Sequence, residues 1–392
     1  MRLISTRTLT LASLVMSPLC MADGVVLDNG AQVNASLLVG VGYDSNVALM
    51  SENELSSSFW ETEGQLGLSL NPGAMEHVVD FLFNDRRYAD SEQDDFTDWS
   101  ASYAGHYEPT SRHRADVSLS TTNFHQQRGI GYTRYLDVPL AEPLQYTQND
   151  ASLAYEYGSK AAIGRIGGEF SYLDYSFDNF SEFTDRLNYD SSTAHAWFDY
   201  NVGAVTSLTF DASVQDVSYD LLDVVGSRDS VVSRYLIGAK WSGLAKTTGL
   251  FKIGYEKRDF DSDLRATYTG LTVDAGVTWS PKTYSTVDFN LSRRTGESGF
   301  SDLIVNTTLL INWQHAWSDI TATAITYQFL NLDEKGSNQR TEKRNYLGVA
   351  YSRQLAKWLT VNAEYSVTLN SSTLERFDYD NQVFMLGFKG VI

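Results

Sequence analysis

The chain has 392 residues, and its 49 acidic and 30 basic side chains give a formal net charge of −19. An acidic balance of this size argues against nucleic acid or an anionic membrane surface as a partner. The single cysteine, Cys20, excludes a disulfide framework.

The first residues have the layout of a secretory signal peptide. Two arginines precede an apolar run that ends at Leu19, and a cleavage site with small residues at −3 and −1 ends at Ala22. A lipoprotein signal would need a small residue before Cys20, and Leu19 is not small. We therefore expect removal of residues 1–22 and a single domain, residues 23–392, that lacks cysteine.

Most of the remaining chain alternates between polar and apolar residues with a period of two. The pattern recurs in Phe59–Asn71, Val205–Tyr219, Tyr284–Arg294 and Trp358–Leu369. A period of two indicates strands whose two faces meet different solvents. No apolar run after the signal approaches the ~18 residues that a spanning helix needs. We count about eighteen segments, with about sixteen as the alternative, and predict an all-β fold: one antiparallel transmembrane β-barrel in the bacterial outer membrane.

The connections between these segments alternate between short and long. The short ones are Asn71–Ala74, Glu108–Ser111, Gly158–Lys160, Val202–Ala204, Ser242-Gly243, Ser280–Lys282, Trp317–Asp319 and Gln354–Ala356. The long ones include Ser45–Ser57, His125–Leu144, Asp178–Arg186, Asp220–Asp229 and Arg258–Arg265. Membrane barrels have short periplasmic turns and longer external loops, so we expect both termini to be periplasmic. Every proline after the signal falls in one of these connections, which fits a residue that cannot donate to a ladder.

Aromatic residues on the apolar face cluster beside the short turns, where an interfacial girdle is expected. They are Tyr107, Trp241, Trp279 and Trp317. The chain ends in an alternating strand that resembles barrel-assembly signals, although its last residue is Ile392 rather than an aromatic one. Expected partners are therefore outer-membrane lipid, lipopolysaccharide and the barrel-assembly machinery.

The polar faces carry charges of both signs that we expect to line the lumen. They are Glu61, Glu63, Arg165, Glu169, Asp211, Lys252, Glu256, Asp274, Asp288, Arg294 and Glu364, together with Asp80, Arg86, Arg258 and Lys389. A web of cross-strand pairs would stiffen the wall. A polar conduit would guide a hydrated solute. Both interpretations stay open.

Nothing in the sequence indicates catalysis, a cofactor or a metal. The six histidines fall in no recognisable nucleophile motif. The segment Asp259–Asp263 begins like a calcium loop, but Leu264 stands where that loop needs glycine and Gly270 where it needs glutamate. We therefore expect a protein that is not an enzyme and holds no cofactor.

The longest connection, His125–Leu144, is a candidate gate. Loops of this length are usually functional or disordered. Arg128, Tyr132, Arg134 and Tyr135 offer donors and flat rings that could contact sugar hydroxyls or acidic polymers. We hypothesise that this loop folds into or over the mouth of the barrel; the alternative is a mobile surface loop.

The first strand after the signal reads Gly40-Val41-Gly42-Tyr43-Asp44-Ser45-Asn46-Val47. This opening resembles a family of outer-membrane β-barrel porins associated with capsule and exopolysaccharide biosynthesis and export loci. The resemblance extends over the mature chain in length and strand layout. It implies a conduit that secretes a capsular or extracellular polysaccharide together with a periplasmic polysaccharide-export protein.

Two other functions stay open beside the polysaccharide conduit. A diffusion porin for small hydrophilic solutes predicts a defined constriction and trimer contacts. A structural or adhesive barrel that binds partners through its loops predicts a plugged lumen and exposed apolar loop tips. The polysaccharide conduit itself predicts a wide lumen with aromatic or polar sugar contacts.

Overall fold

The computed structural model describes residues 24–135, 140–299, 301–336 and 339–392. The expected signal peptide, residues 1–22, lies outside the described residues. Among the residues described, no helix has both the length and the apolar character needed to cross a membrane.

Strands make up most of the described chain. They are β1 Val25–Val26, β2 Gln32–Asp44, β3 Ser57–Leu70, β4 Met75–Tyr88, β5 Phe96–Thr110, β6 His113–Gln126, β7 Leu144–Tyr157, β8 Gly164–Phe177, β9 Tyr189–Asn201, β10 Thr206–Tyr219, β11 Ser230–Leu244, β12 Thr247–Phe260, β13 Tyr268–Lys282, β14 Ser285–Gly296, β15 Leu303–Ser318, β16 Thr321–Lys335, β17 Thr341–Ala356, β18 Leu359–Ser372 and β19 Tyr379–Val391. The described helices are single turns in connections: α1 Ser181–Thr184 and four 3₁₀ turns at Glu92–Asp94, Gly131–Tyr135, Asp185–Leu187 and Glu375–Phe377.

Strands β2 to β19 form a closed antiparallel barrel. Each pairs with its neighbour in the chain, and β19 pairs with β2 from Val383↔Asp44 to Val391↔Ser36. The two-residue strand β1 pairs with β2 at Val25↔Val33, beyond the point where β19 ends. The predicted all-β barrel of eighteen strands is confirmed.

The two faces of the wall have different surroundings. Phe198, Phe210 and Ile237 oppose one another on β9, β10 and β11, and all three are exposed. On the other face, Nζ of Lys252 on β12 reaches Oδ1 of Asp211 on β10 at 2.7 Å, across the intervening β11. Side chains converge in this way on the concave side of a curved sheet. The polar face therefore lines the interior, and the apolar face is the outer surface.

The short connections lie at one end of the barrel, here called the short-turn end. Five of them come slightly later in the chain than predicted, at residues 111–112, 245–246, 283–284, 319–320 and 357–358. A register shift precedes each of these turns, because an extra residue in one strand prolongs it. Pro109 and Pro281 lie in such shifts and count as strand residues, so the placement of every proline outside the strands was wrong for these two. A bulge tolerates proline because its residues do not all donate to the ladder.

The longer connections gather at the opposite end, here called the long-loop end. They are residues 45–56, 89–95, 127–143, 178–188, 220–229, 261–267, 297–302, 336–340 and 373–378. The predicted loop Arg258–Arg265 begins too early, because Arg258 still belongs to β12. The strict alternation of short and long connections is confirmed.

Candidate functional site

Strand β14 leaves the barrel wall near the long-loop end. Its ladder with β13 stops at Val273↔Arg293, although β13 continues to pair with β12 as far as Arg258↔Tyr268. On its other side β14 stays paired with β15 as far as Gly296↔Ile304. The end of β14 has therefore separated from β13 but stays paired with β15, which itself stays paired with β16 as far as Leu303↔Lys335. We call the end of β14 and the connection after it, residues 294–299 and 301–302, the hairpin tip.

The hairpin tip bends into the barrel rather than away from it. The Oγ1 of Thr272 donates to the carbonyl of Arg293 at 2.9 Å, and the backbone N–H of Thr295 donates to Oε1 of Glu256 at 2.9 Å. Thr272 and Glu256 belong to the concave faces of β13 and β12. Val305, on the face of β15 that is otherwise the outer one, is only 1% exposed. The tip thus lies on the inner surface of the wall.

Charges hold the tip in that position. The Glu297 carboxylate pairs with the guanidinium of the buried Arg258 and accepts a hydrogen bond from the Tyr219 hydroxyl at 2.7 Å. Arg228, buried in the 220–229 connection, donates to the carbonyl of Ser298 at 2.8 Å. Because Tyr219 is on β10, three strands from β13, the tip extends well across the inner wall.

The ionisation of Glu297 reflects these partners. Burial alone would raise the pKa of Glu297, but the charge of Arg258 and the hydrogen bonds from Arg258 and Tyr219 hold that pKa below its usual range. Arg228 acts in the same direction. Glu297 is therefore ionised within a buried ion pair, and its removal would leave the positive charge of Arg258 uncompensated.

The candidate gating loop meets the hairpin tip. The ring of Tyr132 occupies the space next to Gly299, where a side chain on that glycine would begin 1.9 Å from Cε1 of the ring. Tyr132 also packs edge-on against Phe177, with ring centroids 5.3 Å apart. The contact therefore joins the 127–143 loop to the hairpin tip inside the barrel, although six strands separate β7 from β14 along the wall. Burial raises the pKa of Tyr132 to about 12.

The first residues of the loop are anchored to neighbouring connections at the long-loop end. Nε of Arg128 donates to Oδ1 of Asp94 at 2.6 Å. Gly129, with a φ of +80°, lies so close to the carbonyl of Ala48 that any side chain would clash. Of the four residues predicted to gate the channel, Arg128 and Tyr132 therefore have defined contacts. The side chains of Arg134 and Tyr135 lie outside the described part of the structure.

The residues predicted to line the lumen all belong to the concave face by register. Fourteen of them are in the wall itself: Glu61, Glu63, Asp80, Arg86, Arg165, Glu169, Asp211, Lys252, Glu256, Arg258, Asp274, Asp288, Glu364 and Lys389. The fifteenth, Arg294, belongs to the hairpin tip.

Several of these charges form clusters on adjacent strands. Glu61 accepts from Arg86 at 2.6 Å, and Arg165 donates to Asp199 at 2.9 Å. A third cluster joins Asp211 to Lys252 and to Nε2 of His195, the latter at 3.0 Å. Glu256 pairs with Arg234, and Asp288 accepts from Thr278 at 2.6 Å. These cross-strand contacts brace a polar inner wall.

A row of tyrosines on the inner wall was missed by the sequence analysis. The ring centroids of Tyr146 and Tyr175 are 4.9 Å apart, those of Tyr175 and Tyr189 are 5.4 Å apart, and those of Tyr189 and Tyr219 are 5.5 Å apart. Each residue lies at the long-loop end of its strand, so tyrosine at four successive strand ends was the available signal. Arg228 stacks on the last ring at 4.0 Å. The row therefore leads to the anchor of the hairpin tip.

The described residues contain no group of three or more histidine, cysteine, aspartate or glutamate side chains that could hold a metal ion. His195 and His125 instead pair with aspartates on neighbouring strands, Asp211 and Asp98.

Comparisons with known proteins identify one family and several distant structural likenesses. A family model described as "Putative beta-barrel porin 2" matches residues 32–390. No curated protein matches the chain.

Among solved structures, a BenF-like porin from Pseudomonas fluorescens Pf-5 is 11% identical, with a TM-score of 0.48 and coverage of 94% of this chain and 100% of that one. OccAB4 of Acinetobacter baumannii is 10% identical, with a TM-score of 0.48 and coverage of 93% and 100%. The FrpB iron transporter of Neisseria meningitidis is 11% identical, with a TM-score of 0.45 and coverage of 86% of this chain but 62% of the transporter. Likeness at this level says nothing about what passes through this barrel.

Proposed function

The chain belongs to the family described as "Putative beta-barrel porin 2", an outer-membrane β-barrel, and on that basis we propose that it is a channel for small hydrophilic solutes. The supporting observation is the closed ring of eighteen strands with a polar concave face and an apolar outer face. A barrel of this size has room for an aqueous lumen wherever loops do not fill it. Charged side chains such as Asp211 and Lys252 keep its wall hydrated.

The size limit comes from the long-loop end. There the hairpin tip and Tyr132 meet inside the barrel, and we infer that they narrow the passage at that level. The charges at the narrowing largely balance: Arg258 faces Glu297, and Arg265 pairs with both Asp223 and Asp302. A constriction whose charges balance favours selection of solutes by size over selection by charge.

The long-loop end is the extracellular one in this proposal. Barrels of the outer membrane place their short turns in the periplasm and their longer loops outside. Both termini, near β1 and β19, are then periplasmic. The constriction lies at the entrance that external solutes meet first.

The test is solute passage through the purified protein in lipid. Planar-bilayer conductance and liposome swelling would be measured with neutral sugars from monosaccharide to longer oligomers. We expect swelling with the smallest sugars and a steep loss with size. A protein that folds in the vesicles, as shown by resistance to protease, yet admits no sugar and carries no current is not such a channel.

Secretion of a polysaccharide is the second candidate. The inner row of Tyr146, Tyr175, Tyr189 and Tyr219 favours it, because aromatic rings in a lumen can contact sugars. A polymer would need the hairpin tip and the 127–143 loop to move aside, together with a periplasmic export partner. Deletion of the gene separates the two candidates. Loss of surface and released polysaccharide favours secretion, whereas unchanged polymer with reduced uptake of small solutes favours the porin.

Binding of a partner through the loops is a third candidate, with its own observation. Leu222, Val224 and Leu264 are 77%, 90% and 75% exposed in two adjacent connections of the long-loop end. If these tips bind a partner surface, the combined change of Leu222 and Val224 to serine reduces attachment of cells without changing conductance. Equal attachment of both strains removes this candidate.

A further inference from the structure

The separation of β14 from β13 leaves a gap in the hydrogen bonding of the wall. The strand β13 begins at Tyr268, but its pairing with β14 is limited to Val273 and the residues after it. Residues 268–272 therefore have no ladder partner on that side among the described residues. In lipid every backbone polar group needs an internal partner, since no water is present to replace one.

The unpaired edge lies at the depth of the hydrocarbon. Trp279 marks the interface at the short-turn end of β13, and Leu271 is exposed on the same outer face. With a rise of ~3.3 Å per residue and a tilt of ~40°, Val273 lies roughly 15 Å above that tryptophan. The apolar band of such barrels is about 25 Å tall, so the edge that begins at Thr272 falls inside it.

The hairpin tip carries the residues that would complete this ladder. Continued from Val273↔Arg293, the same register pairs Thr272 with Arg294, Leu271 with Thr295, and Gly270 with Gly296. We propose that the hairpin tip is a gate: it opens the channel by moving back into the wall and forming these three pairs with β13. This inference rests on the proposed channel function and gives its mode of regulation.

The inward position has its own stabilising contacts. The tip is held by the Arg258–Glu297 pair, by the Tyr219 hydroxyl on Glu297, and by Arg228 on the carbonyl of Ser298. A move to the wall would break all of these. The closed state is therefore built on side-chain charges, and the open state on backbone pairs.

The inward position also leaves a polar atom without a partner. The buried Nε of Arg258 has no hydrogen-bond partner among the described residues. An orphaned atom of this kind destabilises the state that contains it. Each arrangement thus satisfies groups that the other leaves unpaired, which is the condition for a two-state element.

A pair of cysteines tests the open register directly, since we expect no cysteine in the mature chain. In the closed structure Leu271 points outward from β13, whereas Thr295 lies on the inner side of the wall beside Glu256. A disulfide cannot form between side chains that point apart on opposite sides of a sheet. In the open register positions 271 and 295 are directly opposite, at a separation that a disulfide spans. The variant Leu271→Cys/Thr295→Cys should therefore cross-link only when the tip moves into the wall.

The control is a pair that already faces each other on the same two strands. Val277 and Phe289 are paired in the structure, on the outer face and far from the tip. Val277→Cys/Phe289→Cys should cross-link under the same oxidant and leave conductance unchanged. The two single-cysteine variants of the test pair account for the effect of each substitution alone.

The expected result is cross-linking of the test pair and a several-fold higher conductance of the oxidised protein, reversed by a reductant. If the control pair cross-links and the test pair does not, the tip does not return to the wall and the gate is overturned, while wild-type conductance still supports the channel. Cross-linking without a rise in conductance also overturns the gate, because pairing would then not clear the lumen. Cross-linking in a protein that never conducts, in any variant, overturns the proposed channel function itself.

Discussion

The two ends of the barrel are built by different interactions. At the short-turn end, connections such as 245–246 need only two residues, and the positive φ angles of Ala245 and Lys246 close the turn within the backbone. At the long-loop end, side chains that are distant in sequence make the contacts. Arg265 of one connection pairs with Asp302 of another, and Arg128 pairs with Asp94.

This difference makes the short-turn end the fixed end of the barrel and the long-loop end the adjustable end. Backbone turns have one satisfactory arrangement, since each donor and acceptor has its partner nearby. Ion pairs between connections can be exchanged for water or for other partners, because they join separate segments of the chain through side chains rather than through the backbone ladder. The end that narrows the lumen is therefore also the end whose structure can respond to a change of conditions.

The largest expected effect is an all-or-none difference in exposure at the cell surface. An epitope tag inserted within residues 178–186 or 220–229 should be labelled on intact cells, because the long-loop end faces outward in our proposal. A tag within residues 158–160 or at 283–284 should be labelled only after the cells are permeabilised. Labelling of the short-turn tags on intact cells would reverse the orientation of the two ends.

Glu297→Gln should weaken the adjustable end most among single substitutions. Removal of one partner from a buried ion pair costs about 3–5 kcal/mol, since it leaves the other charge uncompensated. The loss falls on the closed arrangement, because Arg258 and Tyr219 meet Glu297 only there. We expect higher conductance in planar bilayers and a lower urea midpoint. Glu182→Gln, an exposed glutamate of α1, serves as the control and should change neither. Conductance equal to the wild type would mean that this pair does not hold the constriction.

The wall between the two ends should respond to the face that is changed. Phe210→Arg puts a charge on the lipid face and should cost about 2–4 kcal/mol near mid-membrane. Ser213→Arg, three residues later and on the concave face, should change the free energy of unfolding little, because water and polar side chains solvate the arginine there. Folding titrations in lipid vesicles measure both. Equal tolerance of arginine at the two positions would contradict the assignment of faces.

The sequence predicted the wall well and the constriction poorly, for a physical reason. Strand faces follow from a local period of two, and Phe210 and Asp211 fall on the expected sides because lipid and water select them residue by residue. The separation of β14 from β13 leaves no such pattern in the sequence, because the alternation of polar and apolar residues continues through Arg294. It depends instead on Glu297 meeting Arg258 39 residues away, which no local pattern encodes.

The turns show the same limit on a smaller scale. Ala245 and Lys246 adopt left-handed backbone angles that glycine or asparagine usually occupies in tight hairpins, so the turn was placed at Ser242-Gly243 instead. The charged pairs of the inner wall were partly predictable, because opposite charges on facing strands such as Glu61 and Arg86 share one face. Their exact partners depended on the register, which only the closed barrel defines.

Shortening the candidate gating loop should have a smaller effect than loss of Glu297. Deletion of residues 128–134 removes the ring of Tyr132 from the lumen but leaves the hairpin tip anchored to Arg258. We expect a moderate rise in conductance and in the sensitivity of cells to large hydrophilic antibiotics. Deletion of residues 159–161, at the other end, is the comparison and should raise neither. If both measurements stay at wild-type values, the loop does not occlude the pore.

Acid should open the adjustable end slightly and leave the fixed end unchanged. Burial would raise the pKa of Glu297, but Arg258, Tyr219 and Arg228 hold it below the ordinary 4.5 in the closed state. In the open state the carboxylate is hydrated and its pKa returns to the ordinary value. The closed state is thus favoured fully above about pH 4.5, and this advantage is lost as pH falls through the lowered pKa.

Conductance should therefore be flat from about pH 7 to about pH 5 and rise below about pH 4. The rise should be smaller than that caused by Glu297→Gln at neutral pH, because a protonated carboxyl can still hydrogen-bond to Tyr219. The other groups that face Glu297 are two arginines and three tyrosines, and none of them is a carboxyl: Arg258, Arg228, Tyr132, Tyr189 and Tyr219. The same titration of Glu297→Gln isolates the contribution of this carboxylate from that of the remaining acids. An acid-induced rise of equal size in the variant would assign the response to another carboxylate of the long-loop end, and the role of Glu297 as its titrating group would be withdrawn.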